Sequence, residues 1–150
     1  MVKIFIGADH NGYELKEQLE TYLTHLGHEV VDEGGQTPQP GDDFPIFAAK
    51  VVTAMLGSTE AEPRGILICG SGQGMVMAAN RFRGIRASLV WNESEARASR
   101  NDDDSNVLCL PSHELKDKRL VQDIVDIWLK TPFARSERFV RRVKQLDELH

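Results

Sequence analysis

The chain has 150 residues, a formal net charge of −5, 41% hydrophobic residues and 27% charged residues, an ordinary composition for one globular domain. The negative charge argues against nucleic acid or anionic lipid as a partner, and no apolar run is long enough to predict a membrane span. Because Cys69 and Cys109 are the only cysteines, a disulfide framework is not expected, and a reducing cytoplasm is the predicted location.

Segments typical of strands and of helices alternate along the chain, and we take residues 1–150 as one domain. Strands are predicted at residues 3–7, 28–32, 65–69, 85–90 and 106–110. Helices are predicted at residues 13–26, 44–56, 75–82, 93–100, 115–130 and 136–149. This alternation predicts an α/β fold with a five-stranded parallel sheet between two layers of helices. The carboxyl ends of the strands then share one edge of the sheet, where ligands bind in such folds.

The third predicted strand runs directly into a glycine-rich loop, CGSGQG at residues 69–74. Its three alternating glycines allow a tight turn with backbone N–H groups pointing inward, and the following helix adds partial positive charge. Such a loop suits a phosphate or an enediolate oxygen, and it favours the thiolate form of the adjoining Cys69. A base beside an oxyanion site is what proton abstraction next to a carbonyl requires. The alternative reading is a buried thiol beside a simple turn.

The same loop fits neither of two common nucleotide-binding motifs. Met75 stands where GxGxxG needs a glycine, and the loop follows the third strand instead of the first. The sequence also has no GxxxxGK[ST] element. These departures argue against a non-catalytic nucleotide- or flavin-binding module, which stays as the alternative from another functional class. No His, Cys and carboxylate set has the spacing of a metal site, so neither a metal nor a cofactor is expected.

Other candidate binding residues lie after the first strand and near the C-terminus. An aspartate such as Asp9 can hold a sugar hydroxyl, and a histidine such as His10 can bind phosphate or move a proton. Alternatively, Asp9 or Asn11 caps the first helix. Arg138 and Arg142 are one helical turn apart, a spacing that suits a phosphate but also an ordinary solvated basic face. His113 follows the fifth strand and is a candidate of the same kind.

Together these residues resemble one known family, the type B ribose-5-phosphate isomerases, which include the galactose-6-phosphate isomerase subunits. The matching stretches span nearly the whole chain: IGADHNGYELK, DFP at residues 43–45, GILICGSGQGMVMAANRFRGIRA, SNVL and RFVRRV. The resemblance implies a Rossmann-like three-layer sandwich and an aldose–ketose isomerase that transfers a proton through a cis-enediolate. It also implies a homodimer with two active sites at the interface, or a tetramer of such dimers. The C-terminal helix, residues 136–149, is expected to pack on the partner.

The resemblance also implies roles for individual residues. Cys69 matches the family's base, and Ser71 matches the hydroxyl residue that assists it. Some members use a glutamate in this loop instead, but this chain has Gly74 followed by Met75 there and resembles the cysteine type. The residues that match the enediolate-binding loop are Gly70, Gly72, Gln73 and Gly74. The residues that match substrate-binding positions are Asp9, His10, Phe44 (usually a tyrosine), Arg138 and Arg142, the arginines reaching the partner's site.

Three positions depart from the family pattern. Asp102 stands where ribose-phosphate members usually carry the histidine that opens the furanose ring, and an aspartate is normally ionised at neutral pH. We assign Asp102 to the catalytic site and Asp103 to substrate binding. His113 stands where an arginine is common, and Phe139 where a polar residue is common.

These departures leave the enediolate chemistry intact but open the question of which sugar phosphate binds. A four-carbon 4-phosphate sugar cannot close a furanose, because its 4-hydroxyl carries the phosphate, and it needs no ring-opening acid. The alternative substrates are therefore tetrose or tetrulose 4-phosphate, or a hexose 6-phosphate, in place of the ribose 5-phosphate and ribulose 5-phosphate pair.

Overall fold

A computed structural model describes residues 1–149, and its centre is a five-stranded sheet in which every pair of neighbouring strands is parallel. The strands are β1 (Lys3–Ala8), β2 (Glu29–Gly34), β3 (Arg64–Cys69), β4 (Ala87–Leu89) and β5 (Val107–Pro111). Their order across the sheet is β2-β1-β3-β5-β4. The predicted α/β class, with five parallel strands between helices, is confirmed.

Six helices connect and follow the strands in the described residues. They are α1 (Tyr13–His25), α2 (Phe44–Leu56), α3 (Gln73–Ala79), α4 (Glu93–Asn101), α5 (Lys118–Lys130) and α6 (Glu137–Asp147). Buried side chains of α1, α4 and α5 share one apolar cluster, and those of α2 and α3 share the other. These five helices therefore form the two outer layers, whereas no residue of α6 is buried.

The central strand β3 shows why the sheet is buried on both faces. Ile66 and Ile68 point into the cluster under α1 and α5, where Trp128 is fully buried. Leu67 and Cys69 point into the cluster under α2 and α3. Because successive side chains of a strand alternate between faces, a continuous apolar run is what two covering layers require.

Some element boundaries differ from those predicted, in each case because of a local hydrogen bond or turn. The helix α3 begins at residue 73 instead of 75, since Gly72 (φ 74°) turns the chain directly into it. It ends at Ala79 because the Asn80 side chain bonds the backbone N and O of Ala87 at 2.8 and 3.0 Å. The helix α5 begins three residues later than predicted because Asp117 caps it, accepting from Arg119 N at 2.9 Å.

Strand polarity determines where ligands can bind. The chain passes from β1 to β2 on one side of the sheet, and from β3 to β4 at the opposite edge and back to β5, so the direction of winding reverses between β1 and β3. In folds of this kind, a reversal of winding marks the carboxyl edge at which ligands bind. None of the helices in residues 1–149 is long and apolar enough to cross a membrane.

Close packing of the segment after β1 against β3 gives a stability prediction. A Cβ added at Gly12 would overlap the Ile68 carbonyl oxygen and lie 2.7 Å from its carbonyl carbon, where backbone cannot move aside cheaply. We expect Gly12→Ala to lower the free energy of unfolding by roughly 2–3 kcal/mol. The control Gly57→Ala, at a helix end with φ −87° and room for a methyl group, should change it by less than about 0.5 kcal/mol. Equal losses in chemical denaturation would contradict the packing explanation.

Candidate active site

The segment that follows β1 lies directly on the end of β3. The backbone N–H of Asp9 donates to the carbonyl oxygen of Ile68 at 3.3 Å, and Gly12 packs against the same carbonyl group. Cys69 is the next residue of β3, so the chain places Asp9 and His10 beside the glycine-rich loop. These residues lie at the carboxyl edge of the sheet between β1 and β3, where a ligand crevice is expected.

Asp9 is buried, with 6% of its surface exposed, and one of its oxygens shapes the turn into α1. Its Oδ1 accepts from the backbone N–H groups of Asn11 at 3.0 Å and Gly12 at 3.2 Å. The N-cap of α1 is Gly12 and no side chain caps that helix, so the alternative in which Asp9 or Asn11 caps it is wrong. Asp9 instead stabilises the turn just before the helix. Burial raises the pKa of Asp9, and the two backbone hydrogen bonds oppose that rise.

His10 is held by Asp42, a residue that lies 32 positions further along the chain. The Oδ1 of Asp42 lies 2.7 Å from His10 Nδ1 and also accepts from the His10 backbone N–H at 3.0 Å. The hydrogen bond to Asp42 raises the pKa of His10, burial opposes the rise, and the charge of Asp9 adds to it. Side-chain ligand atoms of Asp9, His10 and Asp42 lie within 4.8 Å of one another, and the hydrogen bonds within this cluster join His10 to Asp42. No periodic pattern in the sequence marks Asp42, which lies in an irregular loop.

Cys69 ends β3 on the face covered by α2 and α3, and 5% of its surface is exposed. Its carbonyl oxygen accepts from Ser112 N at 2.9 Å, and the carbonyl of Gly70 accepts from His113 N at 2.9 Å. These bonds join the start of the glycine-rich loop to the chain that leaves β5. The thiol therefore lies on a fixed backbone at the rim of an apolar cluster.

The glycine-rich loop is a compact turn that leads into α3. The Ser71 hydroxyl oxygen accepts from the Gln73 backbone N–H at 3.2 Å. Gly72 has φ 74°, a left-handed conformation that L side chains rarely adopt, and a Cβ there would lie 3.3 Å from Pro111 N. Only glycine satisfies both the conformation and the close approach to β5.

Two rings form walls on either side of this loop. The Phe44 ring, at the start of α2, packs so closely over Gly74 that a Cβ there would lie 2.6 Å from ring carbons. The His113 imidazole lies over Gly70 in the same way, with a Cβ–ring distance of 2.7 Å. Small residues at both positions therefore let an aromatic ring and an imidazole approach the loop backbone.

Ser112 is a further structural contributor that sequence reasoning did not single out. Its hydroxyl donates to the carbonyl oxygen of Asn11 at 2.8 Å, across 101 positions of sequence. Together with the Ser112 N–H bond to Cys69, this contact ties the loops after β1, β3 and β5 into one unit. A lone serine after a strand carries no sequence pattern that would reveal such a link.

Asp102 and Asp103 lie at the opposite edge of the sheet from Cys69. They precede β5, whose first residue, Val107, pairs with Gly65, whereas Cys69 pairs with Pro111 at the other end. The length of the strands, on the order of 15 Å, separates the two positions within one chain. Burial and then Asp102 raise the pKa of Asp103, whereas the nearby Arg142 of α6 lowers it.

The loop carrying these aspartates is firmly anchored by two arginines. Arg100 donates to Asp104 Oδ1 at 2.8 Å and to the carbonyl of Ser105 at 2.6 Å. Arg86 Nε donates to the Asp104 carbonyl at 2.9 Å, and its Nη1 bonds Asp147 at the end of α6 at 3.0 Å. These contacts position α6 beside residues 102–104 at the amino edge of the sheet.

α6 presents Arg138, Arg142 and an apolar surface away from the core. Arg138 and Arg142 are exposed, and the Arg138 guanidinium stacks 4.8 Å from the centroid of Phe139. Val140 and Leu146 are about half exposed on the same helix. A cavity of about 700 Å³ between α6 and residues 80–88 is lined by Asp103 and Leu146, and Cys69 does not line it. Arg138 and Arg142 are thus far from their own chain's cysteine.

A second cluster of carboxylates, on α1 and β2, is already neutralised by an ammonium group. Glu17, Glu20 and Asp32 have oxygens close together, but the Nζ of the buried Lys16 bonds Asp32 at 2.6 Å and Glu17 at 2.8 Å. A lysine in that position stabilises the carboxylates in the way that a bound cation would. We therefore assign this cluster to structure and not to a metal centre.

A family model described as Ribose/Galactose Isomerase matches residues 4–146 of this chain. The chain belongs to the ribose/galactose isomerase family. Relatives of this family include a probable ribose-5-phosphate isomerase B of Mycoplasma genitalium, 38% identical over 95% of this chain and 92% of the relative. The ribose-5-phosphate isomerase B of Escherichia coli is 36% identical over 99% of this chain and 98% of its own.

Solved structures of this isomerase family share the whole fold. A ribose 5-phosphate isomerase from Thermotoga maritima is 44% identical, covers 99% of both chains and superposes with a TM-score of 0.91. A ribose-5-phosphate isomerase B from Mycoplasma genitalium, solved with bound ribulose-5-phosphate, is 37% identical with a TM-score of 0.90. That match covers 97% of this chain and 94% of the other.

Proposed function

We propose that this protein is a sugar-phosphate isomerase that interconverts ribose 5-phosphate and ribulose 5-phosphate. The observation that carries the proposal is Cys69 at the carboxyl end of β3, joined to the glycine-rich loop, in a chain of the ribose/galactose isomerase family. A solved relative with ribulose-5-phosphate bound supports the substrate. The unpaired state of Cys69 and Cys109 suits the reducing cytoplasm expected from the sequence.

The proposed chemistry is proton transfer between two adjacent carbons. The Cys69 thiolate removes the proton from C2 of the open-chain aldose, which gives a cis-enediolate, and the resulting thiol returns a proton to C1 to form the ketose. Backbone N–H groups of the loop, residues 70–74, hold the negative charge that develops on the carbonyl oxygen. The Ser71 hydroxyl assists by exchanging a proton with the enediolate oxygens. Asp9, buried at the crevice, binds sugar hydroxyls.

The phosphate-binding part of the site is proposed to come from a second copy of the chain. The resemblance assigns Arg138 and Arg142 to phosphate binding, and we assign Asp102 and Asp103 to the same site. All four lie towards the amino edge of the sheet, a strand length away from Cys69 of their own chain. A two-fold dimer that sets the amino edge of one protomer against the carboxyl edge of the other brings the two halves together twice. His10, on the first half, and His113 beside Gly70 would also face the phosphate.

The exposed face of α6 supports the same dimer. The helix contains Phe139, Val140, Val143 and Leu146, and no residue of it is buried in the single chain. An amphipathic helix gains its stability from packing its apolar face, so a partner protomer is the proposed cover.

Asp102 favours a second candidate substrate. Where other members carry a ring-opening histidine, this chain has a carboxylate whose neighbours are also carboxylates. An open-chain substrate such as tetrose or tetrulose 4-phosphate needs no ring opening, and it uses the same enediolate chemistry at Cys69. The leading proposal remains ribose 5-phosphate because of the relatives described above.

Replacement of Cys69 tests the assignment of the base. We expect Cys69→Ala to lower kcat for ribose 5-phosphate by roughly 10³-fold while leaving the fold intact, because only the proton-transfer group is lost. The matched control is Cys109→Ala, which removes the other buried thiol, two residues inside β5 from the strand end. Steady-state kinetics with circular dichroism make the comparison. Comparable activity in both variants would rule out Cys69 as the base.

Mixing two inactive variants tests the shared site. Cys69→Ala and the double variant Arg138→Ala, Arg142→Ala damage opposite halves of the proposed site. In a hybrid dimer, one site combines both defects and the other combines both intact halves. Subunit exchange of equal amounts should therefore restore about a quarter of wild-type activity, because half the dimers are hybrids with one working site. No recovery after confirmed subunit exchange would contradict a site built from two protomers.

Restoring the histidine tests the substrate. If ring opening limits the reaction, Asp102→His should raise kcat/KM for ribose 5-phosphate by about tenfold or more, since a general acid is supplied. The same change should not help tetrulose 4-phosphate, which is already open-chain. Wild-type activity that is far higher on the four-carbon sugar than on ribose 5-phosphate would favour the second candidate. The opposite ratio would reject it.

A further inference from the structure

We propose that Asp42 is a positioning residue that holds His10 as an imidazolium, with its Nε2–H directed at the phosphate of the substrate. This inference rests on the proposed function, in which His10 contacts a sugar phosphate. It adds a residue that the family resemblance did not supply and that no motif in the sequence marks.

The geometry fixes both the backbone and the ring of His10 through one oxygen. Asp42 Oδ1 accepts from the His10 backbone N–H at 3.0 Å and lies 2.7 Å from the ring Nδ1. The Asp42 side chain is only 13% exposed, compared with 31% for that of His10. A short hydrogen bond that is mostly shielded from water restrains the imidazole strongly, and it leaves Nε2 on the far side of the ring.

Asp42 is itself held by the loop that leads into α2. Its backbone N–H donates to the carbonyl oxygen of Gln39 at 3.0 Å, and Gly41 before it has φ 89°. Two residues later Phe44 begins α2 and packs over Gly74 of the glycine-rich loop. The segment that leads into α2 therefore fixes the position of Asp42 relative to the glycine-rich loop as well as to His10.

The charge state of His10 decides whether it can bind a phosphate. A neutral imidazole has one N–H, and if that proton sits on Nδ1 facing Asp42, Nε2 presents a lone pair that repels an anion. An imidazolium donates from both nitrogens, to the carboxylate and to the phosphate at once. The charged groups that face the ring are Asp42 from the loop before α2 and Asp9 from its own segment, and both favour the cation. The raised pKa of His10 agrees with this arrangement.

The direct test is an NMR titration of His10 in the intact protein. Asp42→Asn keeps the shape and the oxygen that accepts from the His10 backbone, but it removes the charge. We expect His10 to titrate at a lower pH in this variant than in the wild type, with His28 unchanged. The matched control is Asp43→Asn, which removes the neighbouring carboxylate; Asp43 caps α2 by position without a side-chain hydrogen bond. A His10 titration that moves equally in both variants, or in neither, would overturn the proposal.

Kinetics provide the second readout. The ratio of KM for ribose 5-phosphate, variant to wild type, should be near one at low pH, where His10 is protonated in both proteins. It should rise to roughly three- to tenfold between the two His10 titration points, with kcat changed much less. Above both points the ratio should fall again. A ratio independent of pH would indicate a merely structural role for Asp42 and overturn the proposal.

A double variant separates this inference from the proposed function. In a His10→Gln background, Asp42→Asn should have little further effect on KM, because Asp42 acts through the imidazole. Added inorganic phosphate should raise the His10 titration point in the wild type. If His10 titrates at a lower pH in Asp42→Asn but the wild-type protein has no isomerase activity, Asp42 is still the residue that holds the charge of His10. Only the proposed function would then be contradicted. If the two substitutions raised KM additively in the double variant, the inference would be overturned.

Discussion

The polarity of the parallel sheet is the constraint on which the rest of the structure depends. Because β1 and β3 are neighbours and run in the same direction, the residues that follow them meet at one edge, where Asp9 and His10 lie beside the end of β3 at Cys69. The same rule places residues 102–104, which precede β5, at the other edge with Arg142. One chain therefore carries the two groups of candidate residues at opposite edges of the sheet, and the proposed dimer follows from this separation.

Hydrogen bonds between the loops make the carboxyl edge a preorganised surface. Ser112 links the loops after β1 and β5 through Asn11 and joins the end of β3 through the carbonyl of Cys69. Amides held in this way need not reorganise when charge develops on a substrate oxygen, which is the main advantage of an oxyanion site over water. The left-handed Gly72 and the rings packed on Gly70 and Gly74 serve the same end, because they fix the loop backbone without side chains in the way.

The sequence was sufficient for the fold and for placing Asp9, His10 and Cys69 at one edge of the sheet. Continuous apolar strands and amphipathic helices predict the sheet and its layers, and the alternating glycines predict a tight turn beside Cys69. Asp42 and Ser112 could not be found in this way, since their contacts span 32 and 101 positions and depend on tertiary packing. The short β4 and the late start of α5 were missed for a related reason. Side chains such as Asn106, which accepts from Arg86 N at 2.7 Å, and Asp117 compete with the regular backbone bonds there.

The most direct measurement is a crystal structure of the protein with a phosphorylated hydroxamate that mimics the enediolate. The account predicts that the hydroxamate lies against Cys69 Sγ and the glycine-rich loop of one protomer. It also predicts that the phosphate lies between His10 of that protomer and Arg138 and Arg142 of a second protomer. An analogue bound wholly within one chain, or one whose enediolate-mimicking atoms lie out of contact with Cys69 Sγ, would contradict this arrangement.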